Sequence, residues 1–192
     1  VYHDHLVHVQ NLLGTRDGVS DMATMNVLIL RKGTYFVCDA YVQPEPSAGQ
    51  IASMTALAAE QVKRFGLVPK AALLSHSNFG TTDNDTSRKM REALDLIRRQ
   101  VPDLEIDGEM QADTAVLESI LHERYPWSDL KSSANVLVFP ELQSANIAYK
   151  LIWRLAEAEA IGPVLLGMAK PVHVLQRGVE VADIVNMTAL CV

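Results

Sequence analysis

Two apolar runs joined by a long amphipathic segment constrain this chain more than any other feature. Residues 136–140 (VLVFP) form a compact apolar run that ends in a polar turn and passes into a segment of helical periodicity. A second run, 161–166 (IGPVLL), stops at Gly167-Met168-Ala169-Lys170-Pro171. Short continuous apolar runs of this kind mark strands buried on both faces, and the helix between them is the crossover that parallel strands require. Polar and small residues stand where these strands end, which is where open α/β sheets bind ligands.

The alternation extends upstream. The first twenty residues predict a short helix ending near Gly14. Runs 24–30 and 34–39 are β-rich and separated by Arg31-Lys32-Gly33, a hairpin pattern. Gln43-Pro44-Glu45-Pro46-Ser47 breaks the pattern and can cap a helix over 48–65. A strand at 71–75, a charged helix over 83–100 with Met90, Leu94 and Ile97 on its apolar face, and a short strand at 104–106 follow. That strand enters Asp107-Gly108-Glu109, read as a polar turn, before a helix over 112–124 and a last helix from about 181. Strands alternating with helices predict a three-layer α/β/α sandwich.

With 48% hydrophobic residues in 192, the chain can bury one core, or one core and part of a second. A net charge of −6 and the absence of any basic run argue against nucleic acid as a partner. No apolar stretch reaches the roughly 18 residues of a membrane span. The Val1 start and the apolar end Leu190-Cys191-Val192 suggest a piece of a longer polypeptide. Cys38 and Cys191 lie in apolar settings with no CxxC. They are expected to be buried free thiols of a cytoplasmic protein, with a disulfide or catalytic thiol as the alternative.

Four polar turns fall at expected strand ends: Ser75-His76-Ser77-Asn78, Asp107-Gly108-Glu109, Ser144-Ala145-Asn146 and 167–171. On a parallel sheet they would converge on one edge. The first offers hydroxyls, an amide and backbone N–H groups suited to a phosphate or a carbonyl oxygen, or it merely caps the next helix. Asp107, Glu109 and Asp113 can serve a metal or acid/base chemistry, or favour the helix N-terminus that follows. His3, Asp4, His5 and His8 invite a metal, but His3 and His5 point apart on a helix and lack further ligands. Arg177, in a turn between 172–175 and Gly178, suits a phosphate or a CoA-type cofactor. Asp183, six residues on, can be a general base or a helix-dipole partner. No dinucleotide, nucleoside-triphosphate or serine-hydrolase fingerprint is present.

These same segments resemble phosphate acetyl/butyryltransferases. The resemblance is carried by LLSHSN (73–78), DGEMQAD (107–113), ANVLVFPELQSANIAYK (134–150), AEAIGPVLLGMAKPVHVL (158–175) and RGVEVADIV (177–185). The opening, HLVHVQNLLGTRDGVSDMATMNVLIL (5–30), is similar to one branch, the transferase-like C-terminal domain of hybrid NADP-dependent malic enzymes. The resemblance implies the isocitrate/isopropylmalate dehydrogenase-like sandwich, with residues 1–20 a lead-in from a preceding domain, 21–170 the second domain and 171–192 the return to the first. It implies acetyl-CoA or CoA as ligand and homo-oligomers, dimers through this domain. NADP and a divalent metal would bind only elsewhere in the parent.

The implied ligand residues are Ser75, Ser77, Asn78, Asn146, Lys170, Gln176 and Arg177, with Asp183 catalytic if transfer occurs. Active members have a Ser-Arg-Gly turn; here Arg177, Gly178 and Asp183 match, while the serine position holds Gln176. Two cationic positions fall at Leu6 and Phe79. These departures imply a non-catalytic domain that senses acetyl-CoA allosterically. The alternative is an active phosphate acetyltransferase.

Overall fold

The computed structural model describes residues 2–191, with side chains from Asp4 onward. The His3 member of the proposed histidine cluster therefore lies outside the described side chains. Six strands form one sheet in the order β4-β3-β5-β2-β1-β6. They are β1 (Ala23–Leu30), β2 (Gly33–Cys38), β3 (Lys70–Leu74), β4 (Glu105–Met110), β5 (Val136–Val138) and β6 (Glu159–Leu166). The expected hairpin is β1 with β2, closed by Arg31-Lys32 and paired from Met25↔Cys38 to Leu30↔Gly33. β2, β5, β3 and β4 run parallel, and β6 is antiparallel to β1. Five strands thus share one direction, and β1 alone opposes them.

The helices are α1 (Tyr2–Leu13), α2 (Ala48–Arg64), α3 (Asp85–Gln100), α4 (Ala112–Val116), α5 (Glu118–Arg124), α6 (Leu142–Leu155) and α7 (Val181–Ala189). Side chains alternate across the pleat, so Met25, Val27, Phe36 and Cys38 meet α2, α3 and Met187 of α7 on one face. Leu28, Val37, Ala72 and Leu137 meet α4, α5 and α6 on the other. Leu6 of α1, Met22 and Leu165 close a third, smaller cluster over the edge. The result is the predicted α/β/α sandwich. Ser47 caps α2 as the sequence suggested, through a reciprocal bond pair with Gln50.

Two expectations change. The helix expected over 112–124 is two helices, because Leu117 takes an extended conformation (φ −121°, ψ 102°) between α4 and α5. Asp107-Gly108-Glu109 is not a turn; it lies buried inside β4. Its carboxylates can sit there because partners from distant segments satisfy them. Asp107 accepts from Ser128 Oγ (2.6 Å), the Asp129 N–H (2.8 Å) and Arg98 (3.2 Å). Glu109 Oε1 accepts from the Gly80 N–H (2.8 Å), Ser77 Oγ (2.9 Å) and Arg91 (3.0 Å). Paired, hydrogen-bonded charges are the form in which a core tolerates carboxylates.

Candidate functional site at the carboxyl edge of the sheet

The sheet brings the ends of β2, β3, β4, β5 and β6 to one edge, as expected, but does not gather them at one point. β3 and β6 are four strand spacings apart, roughly 19 Å. The loop after β3 and the turn after β6 could touch one ligand only if that ligand were extended.

The loop after β3 has little left to offer. The Ser75 and Phe79 N–H groups bond to the Met110 and Glu109 carbonyls (2.8 and 2.7 Å). Those of Ser77, Asn78, Gly80 and Thr82 go to Ser75 Oγ, Thr81 Oγ1, Glu109 Oε1 and Ser77 Oγ. Asn78 Oδ1 accepts the Gln111 N–H at 2.8 Å, and the Ser77 hydroxyl is buried against Glu109. Phe79, at φ 49°, packs its ring on Tyr125 and Trp127. The loop's hydroxyls, amide and most of its N–H groups are engaged within the protein. Its geometry is that of a bracket leading into α3, whose N-cap is Asn84.

The middle of the edge is built differently. β2 ends at Asp39, whose buried carboxylate accepts the N–H groups of Tyr41 (2.9 Å), Val42 (3.2 Å) and Gln43 (3.1 Å) and the Thr24 hydroxyl. Burial raises the Asp39 pKa against these four bonds, which favour the ionised form. After β6 the chain turns back across the edge: Val172 and Val174 pack on the cluster of Leu6, Met22 and Leu165 beside Val42. This return carries Gln176 to Tyr41, whose phenolic oxygen takes a hydrogen bond from the Gln176 carboxamide and another contact from Tyr149. Burial pushes the Tyr41 phenol up despite these partners.

Arg177 is exposed on the turn that follows and has no ion-pair partner among the described residues. Asp183 sits in the first turn of α7, where one oxygen accepts the Glu180 N–H (2.8 Å) as half of a capping box. Asn146, in the first turn of α6, donates to the Ala40 carbonyl (3.0 Å) and ties that helix to the loop after β2. Lys170 is exposed and lines a cleft of about 340 Å³ beyond β6, together with Arg16, Glu60, Arg64 and His173. Glu60 already pairs with Arg16 and Arg64 there, at 2.5 and 3.7 Å. Sequence reasoning missed Tyr41 and Asp39; the signal available was their position directly after a β-rich run. Cys38 is a buried free thiol whose pKa is driven up by burial, which removes it as a nucleophile.

His173 lends the return segment a pH dependence. Its Nδ1 accepts the Leu165 N–H at 3.2 Å, so the ring proton resides on Nε2, and burial lowers its pKa from 6.5. As pH falls through the ordinary value, the unfolded chain takes up a proton that the folded ring refuses. Stability is therefore complete above that value and declines as pH drops toward the lower folded pKa. Urea midpoints at about pH 7.5 and about pH 5.5 should differ less in His173→Gln than in the parent. An unchanged difference would remove His173 from this account.

A parallel-rich sandwich with its functional groups along the carboxyl edge is the architecture of phosphotransacetylases. A solved phosphotransacetylase from Streptococcus pyogenes superposes with a TM-score of 0.95 at 33% identity, over 100% of this chain and 59% of that one. The chain belongs to the phosphate acetyl/butaryl transferase family, which it matches over residues 1–192. It is 51% identical over 193 residues to the NADP-dependent malic enzyme of Escherichia coli, covering 100% of this chain and 25% of that protein, within its C-terminal portion. It is 36% identical over 188 residues to the phosphate acetyltransferase of Clostridium acetobutylicum, covering 94% of this chain and 56% of that one. The chain thus spans a quarter to just over half of these relatives. Among the described residues, no helix is long and apolar enough to cross a membrane.

These comparisons correct the expectation of a non-catalytic, acetyl-CoA-sensing domain. Identity to a phosphate acetyltransferase runs through 94% of the chain, and the phosphotransacetylase backbone is reproduced across its whole length. The substitutions at three positions, Leu6, Phe79 and Gln176, do not outweigh that extent of agreement.

Proposed function

We propose that this chain forms one wall of a phosphate acetyltransferase site, which moves an acetyl group between phosphate and CoA. The observation that carries the reading is the unpaired Arg177 guanidinium on a turn tied to the centre of the sheet edge by Gln176 and Tyr41. Acetyl phosphate is a compact anion, and a guanidinium fork matches its oxygens in geometry and charge. Lys170 supplies a second exposed cation on the same edge.

In the forward direction the CoA sulfur attacks the acetyl carbon, and a C–S bond forms while negative charge gathers on the carbonyl oxygen. The C–O bond to phosphorus-bound oxygen then breaks and inorganic phosphate leaves. The thiol proton passes to Asp183, which keeps one carboxylate oxygen free of its capping bond. Gln176, in place of the serine of similar transferases, offers an amide N–H to the developing oxyanion. Ser75, Ser77, Asn78 and Asn146 act as the scaffold around these groups. The rest of the cleft comes from sequence that the longer relatives have and this chain does not. Homo-oligomers fit the exposed stripe Ile147, Leu151 and Leu155 on α6.

The test is to supply acetyl phosphate and CoA to the full-length protein and to follow thioester formation and phosphate release together. Equal amounts of both, formed well above the uncatalysed rate, are expected. Thioester at background level would sink the reading.

A further inference from the structure

Tyr41 occupies a position that an ordinary core aromatic could fill, yet its polar end is engaged and its surroundings are rigid. Its N–H is held by Asp39 Oδ1 at 2.9 Å, which fixes the backbone from which the ring projects. The ring meets Tyr149 edge-on with centroids 6.2 Å apart. Tyr149 is itself buried and stacked on Trp153 at 5.8 Å, so this support cannot swing away. Asn146, three residues earlier on α6, grips the Ala40 carbonyl and keeps that helix against the same loop.

The Gln176 side has no such support. Residues 171–176 have no regular structure, and Gln176, Arg177 and Gly178 are all exposed. Among the described residues, the contact with Tyr41 is the polar tie between this turn and the sheet edge. A serine at 176 is too short to extend as far toward Tyr41 as glutamine does. The glutamine that departs from the transferase pattern is therefore also the residue that makes this tie.

We propose that Tyr41 is a positioning residue for the Gln176-Arg177-Gly178 turn: its hydroxyl holds the Gln176 carboxamide at the end of β2 and so fixes where the Arg177 guanidinium stands. The hold itself needs no catalytic assumption, whereas its kinetic consequence rests on the acetyl-transfer reading. A turn held in one place presents its cation without reorganisation, and displacement by about an ångström costs large factors in rate. Substrate affinity, made up of many contacts outside this turn, is affected less.

Tyr41→Phe in the full-length protein tests both parts. Amide hydrogen exchange of residues 173–178 should rise by about fivefold to tenfold, the factor one neutral hydrogen bond is worth, while β1 and β2 stay protected. Because Tyr41 acts through Gln176, the pair Tyr41→Phe and Gln176→Ala should exchange no faster than Gln176→Ala alone. In the transfer assay kcat should fall by about tenfold, with the KM for CoA within about twofold of the parent.

Unchanged exchange at 173–178 overturns the proposal whatever the activity. Raised exchange with an unaltered kcat also overturns it, since the turn would then be held to no purpose. Raised exchange in a protein whose unsubstituted form makes no acetyl-CoA supports the hold and defeats the transferase reading, so the two failures are distinguishable.

Discussion

Arg177→Ala is expected to lower kcat/KM for acetyl transfer by about a hundredfold or more, the range of roughly 2.7–4 kcal/mol that removing one transition-state charge partner costs. The guanidinium is the charged group best placed to meet the phosphoryl oxygens, and no other side chain on the turn can replace it. The fold should hardly notice, because Arg177 is exposed and pairs with nothing among the described residues. Substitution of such a surface residue typically shifts stability by no more than about 0.5 kcal/mol. Arg177→Lys should keep the charge but lose the two-pronged geometry, and so fall between the two. Steady-state kinetics with acetyl phosphate and CoA, beside a melting curve for each variant, make the check. A rate within threefold or so of the parent would place the phosphate elsewhere.

Gly108→Ala should act in the opposite way, on stability first. A Cβ at Gly108 would lie 2.7 Å from the Leu73 carbonyl oxygen and 2.9 Å from Leu73 Cβ, and φ is +145°. The obstacle is the backbone of β3, which is paired with β4 on one side and β5 on the other. It cannot move aside without breaking ladder bonds. Overpacking and backbone strain together predict a loss of about 3 kcal/mol or more. Urea denaturation followed by circular dichroism would show it as a lowered midpoint at an unchanged slope. Gly178→Ala is the control: φ is +82° but nothing lies within 4 Å of the added carbon, so only the left-handed backbone penalty of about 1 kcal/mol applies. Equal losses at the two glycines would show that crowding at Leu73 is not the cause.

The elements that could be read from sequence are those whose signal is local. The β1–β2 hairpin, the Ser47 cap of α2 and the β5–α6–β6 unit all announce themselves in a window of a few residues. β4 does not. Asp107-Gly108-Glu109 has the composition of a turn, and what makes it a strand arrives from afar: Ser77 is 32 residues away, Ser128 is 21 and Arg91 is 18. Strand order is equally hidden, since the three residues of β5 join β2 to β3 through parallel pairings that leave no local mark.

The candidate site divides in the same way. Arg177, Lys170 and Asp183 stand at an edge that strand ends predict. Ser77 and Asn78 also look like ligands by type, and only the structure reveals that Glu109 and Gln111 already engage them. Tyr41 was overlooked because an aromatic beside a buried strand reads as core, and its partner Gln176 lies 135 positions further along the chain.

The bracket after β3 carries a consequence for how this chain can diverge. Its groups answer to one another and to Glu109, so a substitution anywhere in 75–82 is tried first against folding, whatever molecule the protein handles. The 176–178 turn hangs from a single tie, and changes there are tried against chemistry alone. A lineage could thus retune or silence its reaction through a handful of exposed positions while the β3–β4 side stayed frozen, with specificity and architecture inherited almost independently.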